Sequence, residues 1–121
     1  MDFLQILKEL VDPTKGSMAA TIMGLDGIAL QDYKREGVEC DLEALGVEYG
    51  KVMGEICKAS NILNLGDVEE FIISSEGLSV ILRLATPEYF IALVISKGGN
   101  TGQGKFYLRR AAGRTRTALD L

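Results

Sequence analysis

The longest regular pattern of apolar and polar positions runs from Cys40 to Leu65. Large apolar side chains recur there at spacings of three and four residues, and on an α-helix these positions form one broad stripe. The residues of this stripe are Leu42, Leu45, Tyr49, Val52, Met53, Ile56 and Leu63. Asp41 can cap the N-terminus of the helix. The pattern therefore predicts a long amphipathic helix whose apolar stripe packs on the core of the chain.

Glycines also repeat within this helix at every fourth residue, at Gly46, Gly50 and Gly54. At about 100° per residue they form a row beside the apolar stripe. Each glycine lowers the stability of a helix by roughly 1 kcal/mol relative to alanine. Three of them therefore indicate that a helix surface without side chains has a structural or functional role. Either the glycines let the helix lie close on its own sheet, or they accept a partner. Their offset from the stripe favours a partner.

Both ends of the chain are predicted to be helical. Residues 2–11 place apolar side chains on one face, and Pro13 ends this helix because the residue before a proline avoids the α region. Near the other end, Asn100 can cap a last helix. The predicted buried face of that helix consists of Tyr107, Leu108, Ala111, Ala112 and Leu119.

Two apolar runs within residues 18–30 flank Asp26-Gly27. This dipeptide is typical of a tight antiparallel hairpin with a type I′ turn, in which both central residues have positive φ. The polar residues 31–39 that follow are interpreted as a connection to the long helix.

Three more strands are predicted after the long helix. Residues 68–75 and 78–85 flank a second turn at Glu76-Gly77. Alternation in the latter run predicts a half-buried strand. Residues 89–96 are apolar on both faces, as in a central strand that is covered on both sides.

The predicted fold is a single α+β domain over residues 1–121, with the order α-β-β-α-β-β-β-α. Five antiparallel strands form one sheet, with the long helix on one face and the two terminal helices on the other. A chain of 121 residues can build one such core but not two.

Composition excludes several kinds of chemistry. Histidine is absent, which removes His-based triads, metal sites and acid–base catalysis. Cys40 and Cys57 are unclustered, and with no recognisable signal peptide they indicate free thiols in a reducing cytoplasm. A net charge of −4 does not suit a nucleic-acid-binding protein. No apolar run approaches the roughly 20 residues that a membrane-spanning helix needs.

Positive charge is concentrated near the C-terminus. The residues from Lys97 onward carry a net charge of +5, and the rest of the chain carries −9. This asymmetry is consistent with an anionic partner. The favoured interpretation is that a basic last helix complements its own C-terminal dipole and the acidic body.

The run from Gly99 to Lys105 matches the first seven positions of a P-loop and lies between a predicted strand and a predicted helix. However, Phe106 stands where a Ser or Thr hydroxyl should hold Mg²⁺, and too few residues follow for the rest of a mononucleotide-binding fold. A turn followed by a capped helix is the favoured interpretation. No catalytic residue, cofactor or metal is predicted.

Five segments together resemble the Roadblock/LC7 family, in particular the MglB-like bacterial regulators of Ras-like GTPases. They are the helix DFLQILKELV, the hairpin TIMGLDGIAL, the small-residue-rich second helix, the hairpin EEFIISSEGLSVILRLA and the ending NTGQGKFYLRRAA. The last is similar to the family's Asn-x-Gly-x-x-basic start of the final helix, here Asn100, Gly102 and Lys105. The family's layout is also profilin-like.

This resemblance implies a cytoplasmic homodimer that binds a small Ras-like GTPase and stimulates its GTP hydrolysis by ordering the GTPase's own catalytic residues. The long helices of two chains would pack together, and their sheets would join through the third strand, residues 68–75. The residues predicted at this interface are Gly46, Val47, Gly50, Gly54 and Cys57 on the helix and Val68, Glu70, Ile72 and Ser74 on the strand.

Two alternatives remain open at this stage. A Roadblock-type scaffold would bind the GTPase without changing its rate. A PAS- or GAF-like sensor would have a similar layout and would bind a small ligand in an internal pocket, for which Thr21 and Ser74 are the candidate polar groups.

Overall fold

Three helices and five strands follow one another along residues 2–120, the part of the chain that the computed structural model describes. They are α1 (Phe3–Val11), β1 (Ser17–Gly24), β2 (Ala29–Lys34), α2 (Leu42–Ile62), β3 (Glu70–Ser74), β4 (Leu78–Leu84), β5 (Tyr89–Ser96) and α3 (Thr101–Leu119). The predicted order of elements is confirmed. Asp2, Asp41 and Asn100 cap α1, α2 and α3 through their side chains, as expected for these residue types.

The strands form one antiparallel sheet in the order β2-β1-β5-β4-β3. β5 lies at the centre, as its continuous apolar sequence predicts, and six of its eight residues are buried. β2 and β3 are the two edges. Each edge strand pairs with one neighbour, so one side of its backbone remains unpaired within the sheet.

Helices cover both faces of the sheet, in the predicted arrangement. The larger core cluster lies under α1 and α3 and includes Leu7, Leu10, Ile91, Leu93 and Leu108. On the opposite face, α2 covers a second cluster that contains Met53 together with Met23 and Phe90 from the sheet.

The first hairpin differs from the prediction in two ways. β2 continues through residues 31–34, so the interpretation of these residues as part of a connection is wrong. The turn is also not of type I′, because Gly27 has a φ of +90° while Asp26 does not have a positive φ. The amide of Gly27 donates to the carbonyl of Gly24 at 2.9 Å, and four residues connect the strands, which is another common hairpin form.

β4 was predicted to be half-buried but is buried on both faces. Val80 and Leu82 pack under α2, whereas Ile81 between them packs under α1 and α3. The prediction was wrong because the alternation of β4 places Ser79 and Arg83 on one face, and polar residues at these positions suggest a face that is exposed to solvent. In the structure Ser79 is buried and Arg83 forms an ion pair with Glu70 across the strands, at 2.7 Å.

The buried face of α3 agrees with the prediction at Leu108, Ala111 and Ala112. Tyr107 and Leu119 are only half-buried, and Gly104 and Thr115 complete the face instead. Gly104 allows a close crossing over β5, since a Cβ atom there would lie 2.7 Å from Cδ1 of Ile95.

Arg35, just after β2, holds the C-terminal end of α1. Its guanidinium donates to the carbonyls of Val11 at 2.8 Å, Thr14 at 3.1 Å and Ser17 at 2.6 Å. The last carbonyls of a helix have no partner within the helix, and a cation at this end also complements the helix dipole. Arg35 thereby ties α1 to the first hairpin.

We predict that Arg35→Ala lowers the free energy of unfolding by about 2 kcal/mol, because buried carbonyls lose charge-assisted hydrogen bonds. Lys34→Ala removes the neighbouring exposed side chain and should change stability by less than about 0.5 kcal/mol. Urea denaturation followed by circular dichroism measures both changes. Equal stability of the two variants would show that the contacts of Arg35 do not stabilise the fold.

Candidate functional site

The long helix α2 lies very close to the sheet because two of its glycines face large side chains. A Cβ atom at Gly46 would lie 2.6 Å from Cε of Met23, and one at Gly50 would lie 3.1 Å from Cε1 of Phe90. Both glycines are buried. Met23 and Phe90 thus occupy the space on the helix surface that a side chain larger than that of glycine would fill at residue 46 or 50.

The prediction that the glycine row faces outward is therefore wrong for Gly46 and Gly50. Their use is close packing on the chain's own sheet, which was the alternative interpretation. Gly54 differs from them, since a Cβ atom there would have no neighbour within 4 Å.

Part of the apolar stripe faces away from the core instead. Val52 and Leu63 are 41% and 64% exposed, Ala59 is exposed, and Ile56 is half-buried. These four residues are spaced by four, three and four positions, so they form a line along one flank of the helix. Spacing of this kind is typical of a seam that packs against another helix.

This flank faces the β3 side of the sheet. Val47, on the other flank, lies beside the first hairpin, with its Cγ2 3.5 Å from the position of a Cβ at Gly27. On the opposite side, Phe71 and Ile73 of β3 point towards the α2 layer and are half-buried. We call the surface formed by Val52, Ile56, Ala59, Leu63, Phe71 and Ile73 the α2–β3 surface.

β3 adds an unpaired backbone edge to this surface. Among the described strands it pairs with β4 alone. Ile72, which points to the other face of the sheet, is 38% exposed. A short edge strand with exposed apolar residues is a suitable template for pairing with another strand.

The structure divides the predicted interface residues into two groups. Gly54, Ile72 and Ser74 are accessible or have open space beside them. The others are engaged within the chain. Gly46 and Gly50 are buried, Val47, Cys57 and Val68 pack against the core cluster under α2, and Glu70 is paired with Arg83.

Sequence reasoning assigned the apolar flank of α2 to the chain's own core. The signal that could have corrected this assignment is the width of the combined pattern. Seven large apolar residues and three glycines cover more of the helix circumference than one sheet can bury, since a core-facing stripe needs little more than 100°.

Neither cysteine has the environment of a nucleophile. Burial raises the pKa of Cys57, and nearby Asp67 raises it further. Burial likewise raises the pKa of Cys40, with Asp41 adding to the shift and Lys34 opposing it. Both thiols therefore stay protonated at neutral pH, where a reactive cysteine would be a thiolate.

The segment that partly matches a P-loop is occupied by protein contacts. The amides of Gly99, Asn100 and Gln103 donate to Ser96, Lys15 and the Asn100 side chain. Gly99 is also packed against Ile95. These amides do not form a phosphate cradle, so the interpretation as a turn and a capped helix agrees with the structure. Within residues 2–120, no cluster of His, Cys, Asp and Glu could hold a metal ion.

The candidate polar groups of a ligand sensor do not meet. Thr21 is buried and donates to Asp32, whereas Ser74 is exposed on the edge strand. The space between α2 and the sheet is filled by Met23, Met53 and Phe90. In the described part of the chain, no helix is both long and apolar enough to span a membrane.

These features describe a small interaction domain, with a sheet covered on both faces, a free edge and an apolar seam beside it. No protein-family model and no curated protein sequence matches the chain, but solved structures do. MglC from Myxococcus xanthus is 32% identical over 98% of this chain and 99% of that chain, with a TM-score of 0.70.

Two other solved structures share the fold. MglB with a tetrameric arrangement has a TM-score of 0.86 at 16% identity, covering 95% of this chain and 85% of that chain. A Roadblock/LC7 domain from Streptomyces avermitilis has a TM-score of 0.85 at 13% identity, covering 97% of each chain. The chain belongs to the Roadblock/LC7 family, and its fold is of the MglB-like type.

We predict that Gly50→Leu lowers the free energy of unfolding by about 2 to 3 kcal/mol, because the new side chain overpacks the site of Phe90. Gly54→Leu has open space and gains helix propensity, so its stability should be unchanged or higher by up to about 0.8 kcal/mol. Urea denaturation of both variants tests this pair. A stable Gly50→Leu variant would mean that α2 does not need this close contact.

Proposed function

We propose that residues 1–121 act as one Roadblock/LC7-type domain that forms a homodimer through the α2–β3 surface. The observation that carries the proposal is the line of Val52, Ile56, Ala59 and Leu63 next to a free sheet edge. Two copies related by a two-fold axis would bring the same patch together from each chain, which suits a self-complementary contact.

Both parts of this surface favour a protein partner. The seam on α2 offers side chains at the spacing of interlocking helices, and β3 offers backbone donors and acceptors for a strand from the second copy. Burying the seam removes apolar area from water, at roughly 25 cal/mol per Å². MglB, a relative in fold, has a tetrameric arrangement, which supports self-association in this fold.

We propose further that the dimer binds a small Ras-like GTPase in the cytoplasm and stimulates GTP hydrolysis. Membership of the family and similarity to MglC and MglB support this. The chain would act as a regulator with no catalysis of its own, by holding the GTPase's catalytic residues and switch loops in the hydrolysis-competent arrangement. Restricting these groups accelerates phosphoryl transfer by positioning.

A scaffold is the second candidate. It would use the same α2–β3 surface to form the dimer and would bind the GTPase without selecting its competent conformation. A ligand that binds both conformations equally shifts neither population, so binding and acceleration are separate measurements. The ligand-sensor alternative has no support in the arrangement of Thr21 and Ser74.

We predict that Val52→Glu converts the dimer into a folded monomer, because a charge would be placed in an apolar contact without a partner. Size-exclusion chromatography with light scattering should show half of the wild-type molar mass. Ala44→Glu provides the control, since Ala44 is exposed on the same helix but lies outside the seam. A wild-type monomer, or a Val52→Glu dimer, would contradict the proposed interface.

We predict that the wild-type dimer accelerates phosphate release from a Ras-like GTPase of the same organism by about tenfold or more, the size of effect that transition-state stabilisation by a few positioned groups supplies. Single-turnover release of inorganic phosphate measures the rate, and calorimetry measures binding. Binding without acceleration would identify a scaffold. Absence of binding to every such GTPase would reject both forms of the proposal.

A further inference from the structure

The outer face of α3 carries an exposed aromatic side chain with positive charge around it. Phe106 is 57% exposed, and its ring contacts that of Tyr107 edge-on, with centroids 5.1 Å apart. Arg109 and Arg110 follow about one turn later and are exposed, which makes them neighbours of Phe106 on the helix surface. Among residues 2–120, these two arginines and Lys105 form no ion pair.

Charge is unevenly divided between the two terminal segments and the rest of the chain. Residues 2–15 and 97–120, which form α1, α3 and the adjoining loop segments, contain eight basic and four acidic side chains. The rest of the chain contains five basic and thirteen acidic side chains. Exposed charges more than about 8 Å apart are largely screened from one another at physiological salt. The acidic side chains of α2, on the opposite face of the sheet, therefore do not cancel the positive potential outside α3.

Three of the four acidic side chains in these segments, Asp2, Glu9 and Asp12, have a partner within the chain. Glu9 forms an ion pair with Arg114, and Asp12 accepts a hydrogen bond from the Tyr33 hydroxyl at 2.7 Å. Arg114 is thereby paired, and Arg116 donates to the carbonyl of Ala85 at 2.8 Å, whereas Lys105, Arg109 and Arg110 lie around Phe106.

Glycines flatten the helix surface on the same side as Phe106. Gly102 lies four residues before it and Gly113 seven residues after it, so all three positions share one face. Both glycines are exposed, and a Cβ atom at Gly113 would meet nothing within 4 Å. No contact among residues 2–120 explains Gly113, which lowers helix stability relative to alanine. The result is a smooth ridge from which one aromatic ring projects.

We propose that this face adsorbs to an anionic phospholipid surface. The ring of Phe106 would lie at the level of the headgroups, and Lys105, Arg109 and Arg110 would contact lipid phosphates. Peripheral binding of this kind combines attraction to anionic lipids with shallow burial of an apolar group. The contact goes beyond the proposed GTPase regulation and does not require it.

The composition of the face favours lipid over an acidic protein. Protein interfaces have an apolar centre that is depleted in charge, as the α2–β3 surface does. Phe106 instead has cationic neighbours, glycines and no exposed aliphatic cluster beside it. Several positive charges around a single exposed aromatic ring suit a surface whose negative charge is spread over many lipid headgroups.

Sedimentation with phospholipid vesicles tests the proposal on the full chain. The wild-type protein should bind vesicles of phosphatidylcholine with about one third phosphatidylglycerol at low salt, and should not bind pure phosphatidylcholine. The double variant Arg109→Gln/Arg110→Gln should lower the partition coefficient about tenfold or more, since each basic residue near the surface contributes to attraction. Phe106→Ser should also weaken vesicle binding. High salt screens the attraction due to the two arginines but not the burial of the ring, so the effect of Phe106→Ser should persist at high salt more than that of the double variant.

A matched double variant controls for net charge. Lys51→Gln/Lys58→Gln removes two exposed charges from α2, on the opposite side of the sheet, and should leave vesicle binding unchanged. Ile28→Ser controls for loss of an exposed apolar group. Circular dichroism of each variant checks that the fold is intact.

Three results would overturn the proposal. The first is no binding of the wild-type protein to anionic vesicles at low salt. The second is an equal loss in the two double variants, which would indicate a general charge effect. The third is binding to polyglutamate but not to vesicles, which would indicate an acidic protein as the partner.

Discussion

The close contact between α2 and the sheet determines which parts of this chain are free to meet a partner. Met23 and Phe90 rise from the sheet into the positions that Gly46 and Gly50 leave empty. The two glycines fix the orientation of α2 close to the sheet. The helix therefore cannot also bury the large residues on its flank. Val52 and Leu63 consequently remain exposed beside β3.

Sequence patterns predicted the elements of the fold well because most of them follow from local chemistry. Helix caps at Asp41 and Asn100, the break at Pro13 and the apolar run of β5 are all local signals. The end of β2 was missed because a polar edge strand has no core-facing alternation strong enough to distinguish it from a loop. The two-sided burial of β4 was missed because the cross-strand pairing of Arg83 with Glu70 is not visible along the chain.

Which side of α2 is exposed was predicted only in part, for the same reason. Periodicity places residues on a helix, but it does not determine which side of a broad pattern the sheet will take. The sequence pattern placed Gly46 towards a partner and Val52 towards the core, whereas Gly46 packs on Met23 of the sheet and Val52 is exposed. The deciding quantity was the size of Met23 and Phe90, which lie outside the helix in sequence.

The pairing of β1 with β5 has a consequence for how the chain is made. Residues 17–24 pair with residues 89–96, so the inner edge of β1 has no partner until the central strand has left the ribosome. α1 packs on α3 as well as on the sheet, so part of its apolar face remains uncovered until α3 has been synthesised. Contacts this distant in sequence slow folding. A nascent chain of this protein therefore exposes apolar segments of α1 and β1 until β5 and α3 have been synthesised, and early engagement by chaperones is expected to protect them.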